Sequence, residues 1–323
     1  MAYNKQTDTE TISKINKYNK SAMEDFLLDL KSRRKSEGTL RMYRHNLLVF
    51  FCWIYKELDN CEVYELKKKQ LRNFILYLGE QGLSSNRINN IKSTVSSFYT
   101  YLEDDDDYEE IKINYMGKVK SVEKELVRDI VFLTTQQVEY VRKRLIEQEK
   151  YQVCLLWDLL TSTGARHNEI HQIKKDWIVE GSNKTTNEVV GKRKKKFKIC
   201  IHKRTHESYR LYMEQRGEDD LEELWINSKG QPASYQAIYY WIVTDCREIL
   251  KEMNGEDIQL NVHSLRHYFA DGMVKGYHFL CYDLDRTFTL QQVQAMLNHS
   301  DVSTTMSYCK NDEEGIIDDA FGW

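Results

Sequence analysis

The segments Val262-His-Ser-Leu-Arg-His267 and Leu297-Asn-His-Ser-Asp-Val-Ser-Thr-Thr-Met-Ser-Tyr308, near the C-terminal end, decide how the rest of the chain is interpreted. If the first segment is helical, His263, Arg266 and His267 fall at i, i+3 and i+4 and share one face. An arginine and two imidazoles on one face offer several donors to an anion, and the planar guanidinium suits phosphate. The tyrosine that ends the second segment is a candidate nucleophile that needs an activating site.

A third segment lies upstream, Leu159-Leu-Thr-Ser-Thr-Gly-Ala-Arg-His-Asn-Glu-Ile170. Its apolar run stops at Gly164, and a second helix then begins with Arg166 in its first turn. Glu169, three residues later, is close enough to steer that arginine. The motifs T-G-x-R-x-x-E, H-x-L-R-H and L-x-H-x-x-x-x-T-T-x-x-Y follow one another in this order. Together they resemble the tyrosine recombinase (phage integrase) family.

The resemblance implies a reaction at a DNA phosphodiester. Tyr308 would attack the phosphorus, while Arg166 and Arg266 would hold the non-bridging oxygens in a preorganised electrostatic site. His263 would act as base, and His299 would donate to a phosphate oxygen. Glu169 and His267 would support these groups. Because a phenol has an ordinary pKa of about 10, it is also a tolerable leaving group, so the covalent step is reversible and suits strand exchange.

The general acid is expected in a basic turn, Gly191-Lys-Arg-Lys-Lys-Lys196, between two short predicted strands. Strands are indicated at 177–179, 188–190 and 197–201, where the apolar period approaches two. The family's acid is the lysine after the glycine of this hairpin, which is Lys192 here. Lys194 and Lys195 remain competing choices for the same role.

The sequence predicts no cofactor and no metal, because two arginines supply the positive charge that a metal would otherwise provide. Zinc is the competing interpretation of His263, His267 and His299, since H-x-x-x-H on a helix is a ligand spacing. The glutamate that usually follows the first histidine is absent, and Arg266 stands between His263 and His267. A cation among the ligands disfavours a metal.

Composition favours a cytoplasmic, nucleoid-associated protein with no membrane partner. No uninterrupted apolar segment reaches the roughly 18 residues of a membrane span, and the first residues lack the apolar core of a secretory signal. The seven cysteines include no C-x-x-C pair, which indicates reduced thiols. The net charge is -3, but basic residues cluster at 31–35, 67–69 and 192–210, so a positive groove is possible.

The chain is expected to be mainly α-helical with a small β-sheet. Apolar spacing predicts four amphipathic helices within 18–102, an N-terminal helical core-binding (SAM-like) domain in the terms of the resemblance. Residues 129–311 would form the α+β catalytic domain of a tyrosine recombinase. The remaining predictions are a flexible arm at 1–17, a linker at 103–128 and a tail at 312–323 that contacts a neighbouring protomer.

Double-stranded DNA is the expected partner, through polar and basic residues on two N-terminal helices and around the basic turn. The candidates are Arg41, Arg44, Asn86, Arg87, Asn90, Lys92, Arg193, Lys194, Lys195, Lys203 and Arg204. The resemblance implies inverted-repeat sites, a dimer on each site and a tetramer in synapsis.

The predicted function is site-specific recombination or integration, in which DNA is cut and rejoined through a 3′-phosphotyrosyl link. One alternative is a DNA-binding repressor or regulator, for example in phage lysogeny, that keeps the fold but has lost recombination. Another is a type IB topoisomerase, which shares the chemistry; the small N-terminal helical unit favours sequence-specific exchange instead.

Overall fold

The computed structural model describes residues 7–123, 130–299 and 301–309, and the chain divides into two units, Met1–Asp129 and Ile130–Trp323. Helices account for almost all of the regular structure in the first unit. They are α1 (Thr9–Lys14), α2 (Lys17–Ser32), α3 (Glu37–Glu57), α4 (Lys68–Glu80) and α5 (Ser85–Asp104). The four amphipathic helices expected from apolar spacing correspond to α2 to α5.

Helix α3 supplies the largest share of the N-terminal core. It begins where Ser36 accepts a hydrogen bond from the backbone N–H of Thr39 at 3.2 Å, which satisfies a donor that the first turn leaves free. Leu47, Phe50 and Ile54 then recur at helical spacing and are completely buried. Full burial of such a side chain contributes about 1.5–3 kcal/mol, so this stripe holds the neighbouring helices in place.

The expectation of a flexible arm is wrong for the described part of residues 1–17. Residues 9–14 form α1, which packs against α3. The helix has a defined start, because the Asp8 side chain accepts from the Thr11 backbone N–H at 2.7 Å. Ile15, directly after it, is buried in the N-terminal core. Residues 1–6 lie outside the described residues.

The expected linker at 103–128 is instead part of the N-terminal unit as far as it is described. Tyr108, Ile111, Met116 and Val119 are buried in the N-terminal core. The Tyr108 hydroxyl donates to the Asp25 carboxylate at 2.6 Å. The segment is therefore held down by apolar contacts and hydrogen bonds through residue 122, and residues 124–128 lie outside the described residues.

The second unit contains ten helices among its described residues. They are α6 (Thr135–Glu147), α7 (Tyr151–Thr163), α8 (His167–His171), α9 (Lys203–Arg216), α10 (Tyr235–Trp241), α11 (Arg247–Asn254), α12 (Val262–Lys275), α13 (Phe279–Leu284), α14 (Leu290–Met296) and α15 (Val302–Met306). A π-helical turn, Ile242–Cys246, joins α10 to α11. The predicted tail at 312–323 and residues 310–311 of the predicted catalytic domain lie outside the described residues.

Helix α7 is the centre of the second core because it is buried on every side. All residues from Val153 to Thr163 are buried, and α6, α9 and α12 pack around it. Its polar groups have internal partners: the Trp157 indole N–H donates to the Val138 carbonyl at 3.2 Å. The Asp158 carboxylate forms an ion pair with Arg142 at 3.0 Å. Such a helix can fix the residues at its C-terminal end precisely in space.

A single two-stranded sheet is present among the described residues. The strands are β1 (Val189–Val190) and β2 (Lys196–Phe197), antiparallel, with Val189 opposite Phe197. A one-turn 3-10 helix, Lys192–Lys194, connects them and carries the basic residues. The predicted strand at 177–179 does not form, because residues 175–177 adopt another 3-10 turn.

The length and polarity of the helices determine whether any of them could span a membrane. The longest described helix, α3, has 21 residues. Within the ranges that the structure describes, no helix combines the length and the apolar composition required to cross a lipid bilayer.

Candidate active site

Arg166 is presented by a turn that requires glycine. Gly164, at the end of α7, has φ 58° in the left-handed region. A Cβ added there would lie 2.6 Å from the Phe269 ring and 2.7 Å from a Leu297 methyl, so a larger residue does not fit. The backbone N–H of Arg166 donates to Glu169 at 2.7 Å, and its guanidinium donates to the same carboxylate at 3.1 Å. Buried Glu169 thus fixes the direction of the Arg166 side chain.

Helix α12 carries the second motif. Its first turn is capped by Asn261, whose side-chain oxygen accepts from the backbone N–H groups of His263 at 2.9 Å and Ser264 at 3.2 Å. In the helix that follows this cap, His263 is exposed, Arg266 is only 2% exposed and His267 is half-buried. The cap therefore sets the register that turns Arg266 inward.

Arg266 joins three segments that are far apart in sequence. Its guanidinium donates to the Gly164 carbonyl, to the Leu297 carbonyl at 2.9 Å and to His299 Nε2 at 2.6 Å. Its Nε is buried without a hydrogen-bond partner. Burial, and then the charge of Arg166, lower the pKa of Arg266 to about 10. The group remains a cation at neutral pH, held ready for an anion.

His299 follows a tight turn at Asn298. Asn298 has φ 58°, a conformation that asparagine tolerates better than most residues. Because His299 Nε2 accepts from Arg266, the ring proton is assigned to Nδ1, which donates to the Thr305 hydroxyl at 2.9 Å. Burial, and then the charges of Arg266 and Arg166, lower the pKa of His299 to about 4. The ring is therefore neutral in the DNA-free protein.

Tyr308 lies directly against this cluster. Its ring centroid is 5.2 Å from the guanidinium carbon of Arg266. It is 5.4 Å from the His299 ring and nearly parallel to it, and 4.8 Å from the His267 ring. The backbone carbonyl of Tyr308 accepts from His267 Nδ1 at 2.9 Å. His267 thus anchors the tyrosine main chain, while Arg266 and His299 face its side chain.

The basic turn approaches the same cluster through its first residues. A Cβ added at Gly191 would lie 3.0 Å from a Glu169 carboxylate oxygen, so the turn runs close to the Arg166–Glu169 pair. The charge of Lys192 contributes to lowering the pKa of His299. Lys192, Lys194 and Lys195 are all exposed, and Lys194 has φ 61°. Arg193 lies in the same turn. The choice of Lys192 as the acid, with Lys194 and Lys195 as competitors, stays a prediction.

His263 stands at the exposed edge of the cluster. Although the residue is exposed, desolvation by its neighbours and the charges of His267, Arg266 and Arg166 lower its pKa. A neutral imidazole can accept a proton, as a general base must. Three cations, Arg166, Arg266 and Lys192, thus outnumber the one carboxylate, Glu169, and this positive balance attracts an anion.

The N-terminal candidates for DNA contact lie on α3 and α5. Arg41, Arg44, Asn86 and Asn90 are exposed, whereas Arg87 and Lys92 are half-buried. Arg44 is already paired with Glu24 at 2.7 Å. Arg87 donates to Asn46 at 2.6 Å and to Asn90 at 3.2 Å, so it also ties α5 to α3. Part of this polar surface therefore stabilises the unit itself.

The two candidates at the start of α9 differ from each other. Lys203 is exposed and lies 3.3 Å from the Asp283 carboxylate. Arg204 points inward, with its guanidinium carbon 3.9 Å from the centre of the Phe279 ring and an ion pair to Glu139. Arg204 is thus engaged within its own unit, and this arrangement does not support the prediction that it contacts DNA.

Sequence reasoning missed two side chains next to these groups. Thr305 is the partner of His299 Nδ1, and the paired threonines of the third motif were the available signal. His167 is 5% exposed beside Arg166, and its ring contacts the Tyr235 ring. A histidine one residue after Arg166 gave no sign of its burial. Among the described residues, no group of three or more His, Cys, Asp or Glu side chains is arranged to hold a metal.

Known proteins resemble this chain over nearly its whole length. Tyrosine recombinase XerC of Treponema denticola is 26% identical over 303 aligned residues, covering 85% of this chain and 89% of the relative. The solved structure of a lambda integrase dimer bound to a COC′ core site has a TM-score of 0.67 at 16% identity and covers 95% of this chain and 83% of that one. XerH site-specific recombinase bound to its difH substrate has a TM-score of 0.60 at 20% identity and covers 98% and 90%.

The similarity to these two solved structures shows the fold of this chain. The matches to two family models show which family the chain belongs to. The model of phage integrase N-terminal SAM-like domains matches residues 22–109. The model of the phage integrase family matches residues 131–314, more than half of the chain. The fold class expected from the motifs is confirmed: a mainly helical chain with a SAM-like N-terminal domain and a catalytic domain. This protein belongs to the phage integrase family of tyrosine recombinases.

Proposed function

We propose that this protein is a site-specific recombinase that cleaves and rejoins DNA through a 3′-phosphotyrosyl intermediate at Tyr308. The observation that carries the proposal is the Tyr308 ring 5.2 Å from the guanidinium carbon of Arg266, with the rings of His267 and His299 beside it. Phosphodiester exchange needs a nucleophile and fixed positive charge in one place. The recombinase names of the relatives support the same reaction. The alternative of a regulator without catalysis is not favoured, because the nucleophile and the groups that would activate it stand together.

In the first step, the Tyr308 oxygen forms a bond to the phosphorus and the bond from phosphorus to the 5′ oxygen breaks. His263 takes the phenolic proton, and Lys192 gives a proton to the departing 5′ oxygen. The products are a 3′-phosphotyrosine and a free 5′ hydroxyl. Arg166 and Arg266 stabilise the charge on the non-bridging oxygens as the phosphorus becomes pentacoordinate.

The second step reverses the first. The 5′ hydroxyl of another strand attacks the phosphotyrosine, and Tyr308 leaves as the phenol. Lys192 now accepts the proton of the incoming hydroxyl and His263 returns one to the tyrosine. Since no bond is lost overall, the exchange requires no external energy source.

His299 changes its bonding when DNA enters the site. In the DNA-free protein its Nε2 accepts from Arg266, so it has no proton to donate there. A phosphate would draw the Arg266 N–H toward itself and raise the pKa of His299, because a nearby anion favours the protonated ring. His299 would then donate from Nε2 to the phosphate while Nδ1 keeps its bond to Thr305.

The partners follow from this reaction. We propose double-stranded DNA carrying inverted-repeat sites, a dimer on each site and a tetramer in synapsis, within the cytoplasm and on the nucleoid. Solved lambda integrase structures contain a dimer on a core site and a tetramer on a Holliday junction, which supports such an assembly. Residues 312–323 would contact the neighbouring protomer. Unchanged assembly on DNA after their deletion would remove that part of the proposal.

A suicide duplex, nicked so that the cleaved strand cannot be religated, tests the reaction. The duplex is the one with the highest adduct yield from a random-sequence library. We expect a covalent protein–DNA adduct from the natural protein and none from Tyr308→Phe.

Tyr282→Phe is the matched control, because Tyr282 is an exposed tyrosine of the same unit and is expected to leave the yield unchanged. Sequence-specific binding without any adduct from the natural protein would refute catalysis and leave a DNA-binding regulator.

A further inference from the structure

A cavity of about 170 Å³ opens directly beside the proposed phosphate site. Its lining includes the groups assigned to the phosphate, Arg166, His263 and Arg266. It also includes a second group of side chains, His167, Tyr235 and Tyr239. Pockets for drug-sized ligands are usually about 300–1,000 Å³. This cavity therefore suits one small planar group that is attached to whatever the arginines hold.

His167 is the unusual member of the cavity wall. It is 5% exposed, and neither of its ring nitrogens has a hydrogen-bond partner. Burial, and then the charges of His171 and His263, lower the pKa of His167 to about 4, so the ring is neutral. A neutral imidazole has one donor and one acceptor. Leaving both unpaired in the interior is unfavourable, unless a partner enters from the cavity.

Tyr235 contacts His167 and is itself partly open to solvent. It is the first residue of α10, and its ring centroid is 4.2 Å from that of His167 at an interplanar angle of 44°. The side chain is 47% exposed, so it can turn aside without disturbing the core. Tyr239, one turn later, has its ring 6.0 Å from His167. These rings form an aromatic surface that a ligand can reach.

The chemistry of these side chains suits a base better than a second phosphate. The second group of lining side chains contributes two aromatic rings and an uncharged imidazole, and it contains no cation. A phosphate would lose hydration there without gaining a charge partner. A nucleobase gains by stacking on an aromatic side chain and offers donors and acceptors that an imidazole can satisfy.

We propose that this cavity is a subsite for the base of a nucleotide that flanks the scissile phosphate, stacked on Tyr235 and hydrogen-bonded to His167. The inference rests on the proposed function, because the phosphate on Arg166 and Arg266 brings the base into reach. The subsite would make the rate of cleavage depend on a base next to the cut.

Nicked duplexes with an abasic residue immediately 5′ or 3′ of the cleaved bond test the subsite. Single-turnover adduct formation by the natural protein is expected to slow about tenfold when the base on one of the two sides is missing, in keeping with the loss of a stacking contact. In His167→Leu, the intact duplex should react as slowly as that abasic duplex, so the dependence on the base disappears. Leucine also removes two unpaired nitrogens, so we expect Tm to stay the same or rise.

Tyr235→Leu is the second variant, since its exposed ring can be removed without opening the core, and it should lose the same dependence. Tyr240→Leu is the control: Tyr240 is exposed on the same helix and does not line the cavity. Equal rates for the intact and both abasic duplexes would overturn the subsite alone. So would a full tenfold dependence that persists in both variants. Absence of an adduct with every duplex would overturn the proposed function together with the subsite.

Discussion

At the residue scale, the bond from His299 Nδ1 to the Thr305 hydroxyl holds the orientation of the His299 ring. Thr305→Val keeps the shape of the buried side chain but removes that acceptor. We expect adduct formation to slow by about one order of magnitude, as when a group that orients a reacting imidazole is lost. Single-turnover rates on the suicide duplex measure the effect. Ser303→Ala, an exposed change in the same helix, should leave the rate of adduct formation unchanged. An unchanged rate in Thr305→Val would contradict the proposed role of Thr305.

A second prediction at this scale concerns His278, which is completely buried. It donates to the Thr161 carbonyl at 2.9 Å and accepts from the Leu280 backbone N–H at 3.1 Å. Burial lowers its pKa from 6.5 to about 3. The unfolded chain therefore binds a proton that the folded protein does not, and stability falls as pH drops from 6.5 toward 3. The expected contribution is about 1.4 kcal/mol per pH unit.

His278→Asn tests this contribution, because the amide oxygen can still accept from Leu280. In urea denaturation across the same pH range, the unfolding free energy of the variant should fall less steeply with decreasing pH. The difference in slope should be about 1.4 kcal/mol per pH unit, the effect of one proton. An identical pH dependence in the variant and the natural protein would show that His278 is not responsible.

The orientation of single side chains could not be predicted from the sequence. The spacing of His263, Arg266 and His267 was sufficient to predict a shared helical face. It could not predict that Arg266 would be buried with carbonyl partners while His263 stayed exposed. Arg204 was equally ambiguous, because a basic residue at the start of a helix can face solvent or, as here, lie over Phe279. Inward or outward orientation depends on tertiary neighbours.

At the element scale, the turn after α7 is the junction that most constrains the site. Gly164→Ala combines an unfavourable φ with overlap against Phe269 and Leu297. We expect a loss of about 2–4 kcal/mol in unfolding free energy and little or no adduct. Gly181→Ala is the matched control, since Gly181 has φ 75° with nothing within 4 Å of an added Cβ. Gly181→Ala should lower the unfolding free energy by only about 1 kcal/mol.

Denaturation of both glycine variants, followed by the adduct assay, separates strain from overlap. Equal stability of the two variants would mean that the contact with Phe269 and Leu297 is not limiting.

Elements with a strong periodic pattern were predictable, and those held by distant contacts were not. Helices α2 to α5 each repeat apolar residues at helical spacing. Residues 103–123 are acidic, and their buried members Tyr108, Ile111, Met116 and Val119 follow no helical or strand period. They adopt their positions because the N-terminal core accepts them. The 177–179 segment has strand composition, but it lacks a neighbouring strand to pair with.

At the scale of the whole molecule, the N-terminal unit extends beyond its last long helix. We expect a fragment of residues 1–123 to unfold cooperatively in urea. A fragment of residues 1–102 loses four buried apolar side chains, each worth about 1.5–3 kcal/mol, which is comparable with the total stability of a small domain. It should be largely unfolded by circular dichroism. Equal urea midpoints for the two fragments would instead support the linker at 103–128 that the sequence predicts.

The division into two helical units and the order of the motifs were accessible from sequence, because both depend on local pattern. Which side chains of the N-terminal unit meet DNA was not. Arg87 and Asn90 show why: the same polar groups that suit a DNA groove also hydrogen-bond to Asn46 inside the unit.

Arg266 takes its carbonyl partners from residues 102 positions earlier and 31 positions later in the chain. During synthesis, this cation has no complete set of acceptors until Leu297 has left the ribosome, and the proposed nucleophile, Tyr308, emerges later still. Under the proposed function, a chain that stops before Tyr308 would lack the group that attacks DNA. We therefore expect such a truncated chain to form no covalent adduct with DNA.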